Sequence, residues 1–123
     1  MEEEMVKRQK VKLSDFQKQR VMDCVDSLRL YAIPEKWKMI PGFQEQVRKA
    51  LVNVSKGLAA AGIPCVDIKK AIECIDYGRK DLAYRYLFES STIKDPIAQQ
   101  LDARLGIGSG PGALNELHFL IMG

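Results

Sequence analysis

Apolar residues return every third or fourth position along most of this chain, and prolines and glycines punctuate the segments they mark. The first segment has a definite start. The Ser14 hydroxyl can accept the amide proton three residues on while Gln17 reaches back to the Ser14 amide, the two halves of a capping box. Val21, Cys24, Val25, Leu28 and Ala32 then share one helix face, with Lys18, Asp23, Asp26 and Arg29 on others. Pro34 is expected to end this helix, because a residue before proline avoids helical torsions. From Pro34 to Gly42 runs a proline-bounded connector carrying Trp37, Met39 and Ile40, expected to lie over the seam between its neighbours with Trp37 as anchor.

The most regular stripe is Phe43, Val47, Ala50, Leu51, Val54, Leu58 and Ala61, which predicts a helix over 43–61 stopped by Gly62 and Pro64. A shorter helix should start between Pro64 and Asp67, bury Ile68, Ala71, Ile72 and Ile75, and close at Gly78. Another begins near Lys80 and turns Leu82, Ala83, Tyr86 and Leu87 inward. Asp95 and Pro96 supply a cap and a preorganised first residue for a helix whose stripe is Ile97, Leu101 and Leu105. After Gly106 comes a segment with glycine at 106, 108, 110 and 112, and then a last apolar segment from Ala113 to Ile121. No stretch alternates with the two-residue period of a half-buried strand. The reading is all-α, a compact bundle of five to six short helices in orthogonal or mixed packing, with no sheet. Residues 1–12 alternate acidic and basic groups and read as a flexible charged tail, which leaves 13–123 as a single helical domain.

Composition changes this picture little. With 123 residues, 46% of them hydrophobic and 28% charged, the chain matches an ordinary folded domain and excludes disordered, collagen-like and disulfide-scaffold classes. Cys24, Cys65 and Cys74 make an odd set without Cys-x-x-Cys spacing, each in or beside an apolar stripe, so they are expected reduced and buried. The start lacks a secretory apolar stretch, and no run approaches the ~18 apolar residues of a membrane span. An intracellular location, cytoplasmic or nuclear, is expected.

Charge adds an alternative. Residues 7 to 56 hold twelve Lys or Arg against five Asp or Glu, a surplus of seven, while the whole chain carries +3. Such a surplus either solvates helix faces or attracts nucleic acid by releasing phosphate counterions. The candidate contacts for DNA or RNA are Lys36, Trp37, Lys38, Arg48, Lys49 and Lys56, with Trp37 serving either as a stacking platform or as a core residue. Lys7 to Lys12 also fits a short nuclear-import signal.

Catalytic chemistry finds no support. His118 is the single histidine, so there is no His-His pair or Cys-His spacing for a metal, and a nucleophilic triad would have to use His118 as its base, with no nucleophile-elbow sequence around any serine. The carboxylate pairs Asp23 with Asp26 and Glu73 with Asp76 read as solvated faces. The glycine segment follows a helix and lacks the Gly-Lys-Ser/Thr ending of a nucleotide loop. No enzyme, cofactor or small-molecule substrate is therefore expected.

Two local resemblances remain. Leu105-Gly106-Ile107-Gly108, with Ala113 and Leu117 downstream, resembles a helix-hairpin-helix motif, which implies turn amides that touch a DNA phosphate. The match covers about 97–121, its alanine falls one position late, and Pro111-Gly112 stands where the second helix should begin; a flexible hinge or plain turn is the competing reading. The stretch from Asp67 to Ser90 resembles one unit of a helical-hairpin repeat, without a second copy at the expected 34-residue offset.

The chain's last apolar run points toward a partner. Phe119, Leu120, Ile121 and Met122 are adjacent, and at 100° per residue they cannot all face inward. The leading expectation is thus a non-enzymatic interaction or assembly module, self-associating through these four residues or docking another protein with them.

Overall fold

A computed structural model describes residues 13–108 and 110–122. The expected charged tail and the import-like run Lys7 to Lys12 lie outside the described residues. The described residues form seven helices in the order α1 (Asp15–Arg29), α2 (Pro34–Met39), α3 (Phe43–Ala60), α4 (Val66–Asp76), α5 (Lys80–Phe88), α6 (Pro96–Leu105) and α7 (Ala113–Met122), and no strand is found among them. The all-α reading holds, with one helix more than expected.

The capping box at Ser14 is formed. Ser14 Oγ accepts from the Gln17 amide at 3.1 Å, and Gln17 Oε1 accepts from the Ser14 amide at 2.9 Å. Gln17 also donates through Nε2 to the Ala61 carbonyl at 2.8 Å, which ties the start of α1 to the end of α3. The helix stops before Pro34, however. Leu30, Tyr31 and Ala32 donate to carbonyls only three residues back, so the chain tightens into a last turn after Arg29. The expected connector is itself a helix, with Pro34 at its first position, where a missing amide proton costs nothing. Trp37 is its buried residue, 3% exposed; its indole donates to the Tyr31 carbonyl at 2.7 Å, and its ring meets Phe43 and Tyr84 edge-on at 6.0 and 5.7 Å.

Glycines end α3 and α4 as their spacing implies. Gly62 and Gly78 both sit at φ +77°, and the amides of Ile63 and Arg79 turn back to the carbonyls of Leu58 and Cys74, each at 2.8 Å. Asp95 caps α6 by accepting from the Ile97 amide at 2.9 Å. The α6 stripe differs from expectation: Ala98 and Leu101 are buried, while Ile97 and Leu105 lie at the margin of the core.

Helix α4 occupies the centre, packed against α3, α5 and α6, and α7 covers α1 and α5. This placement has an energetic consequence. A central helix must bury more than one stripe, and α4 buries Asp67 and Lys70 together with Ile68, Ala71, Cys74 and Ile75. All three cysteines are buried thiols, and burial pushes Cys65 and Cys74 up to about 12, which leaves them unreactive at neutral pH.

Candidate functional site

Helix geometry divides the apolar end of the chain in two. Ala113 and Leu117 are buried against α1 and α5, and Leu120 and Ile121, at steps of three and four from Leu117, pack partly buried on the same core. Phe119 and Met122 point the other way and are 67% and 73% exposed. Of the four residues expected to bind a partner, the structure thus leaves two on an open face and turns Leu120 and Ile121 toward the interior. Around the open pair, Pro111, Asn115 and His118 complete a shallow groove of about 290 Å³. His118 borders α1, its Nε2 lying 3.5 Å from Arg29 Nη2.

The basic candidates lie on two neighbouring helices, α2 and α3. Trp37 is enclosed and cannot offer a face to a base, which corrects its place among the nucleic-acid contacts. Arg48 is engaged by Asp76 through two hydrogen bonds of 2.6 and 3.0 Å, and this guanidinium holds the Asp76 carboxyl below the usual range. Lys36 and Lys38 are exposed on α2, while Lys49 and Lys56 share the side of α3 opposite Val47 and Val54.

The glycine segment is anchored at three described points. Gly108 lies over the Asp67 carboxylate. At Gly110 the amide donates to Ser91 Oγ at 2.6 Å and the carbonyl accepts from the Ser91 amide at 2.9 Å. Gly112, at φ +89°, lies so close to the end of α5 that an added Cβ would fall 3.2 Å from the Glu89 amide nitrogen. These contacts hold the described residues of the segment against α4 and the end of α5. In the turn that carries the helix-hairpin-helix resemblance, Gly108 faces a carboxylate, whose charge disfavours a phosphate at that point.

Under Gly108 sits a cluster that sequence reasoning missed. Asp67 and Lys70 are both fully buried. Lys70 is ion-paired with Asp102 of α6 and lies 5.4 Å from the centre of the Tyr86 ring of α5. Neither carboxylate oxygen of Asp67, nor the Tyr86 hydroxyl, has a hydrogen-bond partner among the described residues. Burial, then the charge of Glu116, pushes Asp67 up to about 6; Lys70 opposes the shift and Asp102 adds to it. Burial and the nearby Asp102 charge likewise raise the Tyr86 hydroxyl.

Among the described residues no group of three His, Cys, Asp or Glu side chains is placed to hold a metal ion, and no helix is long and apolar enough to cross a membrane. The chain matches no family model, no curated protein and no solved structure.

Proposed function

We propose that the chain is a non-enzymatic assembly module that pairs with a second copy of itself through the outward face of α7. The observation that carries this reading is the exposure of Phe119 and Met122, three residues apart on one face and beside a groove of about 290 Å³. Projection and groove belong to the same patch, so two copies related by a twofold axis can each seat Phe119 in the groove of the other. Burying a Phe or Met side chain gains about 1.5–3 kcal/mol, so four such side chains contribute roughly 6–12 kcal/mol before association entropy, estimated at about 4–15 kcal/mol, is subtracted. The balance predicts a weak, concentration-dependent dimer.

Sedimentation velocity on the full chain at micromolar to submillimolar concentration tests this. The parent should show a rising dimer fraction, and F119S/M122S should remain monomeric with an unchanged circular dichroism spectrum, because both side chains are already solvated in the single chain. A parent that stays monomeric across the range refutes the proposal, as does a double variant that dimerises equally well.

A further inference from the structure

We propose that Asp67 is a buried acid that makes the packing of α7 respond to pH, holding Gly108 closely when protonated and loosening the segment leading into α7 when charged. Three geometric facts carry this. Asp67 is wholly removed from solvent, its two oxygens have no hydrogen-bond partner among the described residues, and the Gly108 backbone rests on the carboxylate without space for a side chain. A carboxylate in such a place has exchanged its hydration for nothing.

Among the groups that face it, one cation is shared with other acids. From α4 come Lys70, whose ammonium is committed to Asp102, and Cys65 at the helix start, a buried thiol. From α5 comes the Tyr86 hydroxyl, from α6 Asp102 itself, and from α7 Glu116. The acidic neighbours therefore outnumber the single cation. Because Asp67 is shifted upward to about 6 from an ordinary 3.8, the native state binds its proton more tightly than an opened state does. Its effect on stability is absent below about pH 4, grows as pH rises, and is complete once pH exceeds the shifted value. Between pH 5 and pH 7 the opening equilibrium should rise about tenfold from this group alone.

Two measurements on the full chain decide the matter. A carbon NMR titration of the Asp67 carboxyl should give a midpoint near 6, and a midpoint near 4 overturns the proposal without any variant having to fold. Native-state hydrogen exchange at the Leu117 amide, corrected for the intrinsic rate at each pH, should show about tenfold more opening at pH 7 than at pH 5 in the parent. D67N should abolish that difference, whereas an equal pH response in D67N overturns the proposal. His118 borders α1 rather than Asp67 and is present in both proteins, so it does not distinguish them in the comparison.

Discussion

Gly108 offers the most direct access to the packing over Asp67. A Cβ at this position would fall 2.7 Å from Asp67 Oδ2 and 2.8 Å from its Cγ, well inside van der Waals contact. The obstacle is a short side chain on a helix, buried on every side, so it cannot swing out into solvent. Gly108→Ala must displace either the carboxylate or the backbone, and overpacking of this kind costs about 1–3 kcal/mol. Asp67→Ala behaves differently at pH 7. It removes a charge that burial has pushed up to about 6, a penalty of about 3 kcal/mol at most, and sets against that a small cavity and the loss of a favourable carboxylate in the first turn of α4, the latter about 0.3–1 kcal/mol. This variant should be as stable as the parent or more so. With Asp67 shortened, the alanine methyl at 108 has room, so the double variant should recover most of what Gly108→Ala alone loses. Urea melts of the four proteins at pH 7 give the coupling energy, expected at about 1–2 kcal/mol in the direction of rescue. Additive effects within 0.3 kcal/mol, the usual tolerance for independent sites, would show that the two residues do not meet and refute the reasoning.

Two further outcomes follow from the same interior. Lys70→Met leaves Asp102 facing an apolar wall, and because Asp102 retains some solvent access the loss should be about 3 kcal/mol or less; adding Asp102→Leu should restore most of it, and a urea midpoint that falls further in the double variant would contradict the pairing. Stability should crest at mildly acidic pH. Asp76 and Asp81 are held below the ordinary carboxylate range by Arg48 and Arg79, so their contributions are lost as pH falls through their lowered values, whereas the penalty at Asp67 grows as pH rises toward about 6. Chemical denaturation from pH 3 to pH 8 should thus peak between about 4 and 6, and a profile still rising at pH 7 would overturn the assignment at Asp67.

The helices were legible where a long stripe met an unambiguous stop. The regular repeat from Phe43 to Leu58 and the glycines at 62 and 78 specify their elements locally, and the capping residues Ser14 and Asp95 fall where the chemistry places them. Helix α2 escaped notice because six residues complete less than two turns, too few for a period to show, although a proline at a first helical position was a usable signal. Its buried tryptophan was readable as a seam anchor, and the Trp37 bond to the Tyr31 carbonyl explains why the chain abandons α1 before Pro34. The division of Phe119 and Met122 from Leu120 and Ile121 follows from helical angle alone. Which pair faces outward depended on where α1 and α5 lie, and that is a tertiary fact.

The buried acid was illegible for a different reason. Asp67 and Lys70 stand one turn apart at the start of an amphipathic helix, and a pair so spaced is ordinarily a solvated ion pair beside the apolar stripe. That inference assumes a helix with one neighbour-facing side. Helix α4 has three packed neighbours, so the arc beside Ile68 and Ala71 is enclosed as well, and Lys70 turns from Asp67 to Asp102 of α6. A carboxylate stripped of its expected partner is a net cost to folding, while the packing around it is sufficient to hold the chain together despite that cost. Removing the charge should therefore leave the fold intact and remove the loss of stability that sets in as pH rises from about 5 to 7, two effects that a residue retained only for stability would not separate.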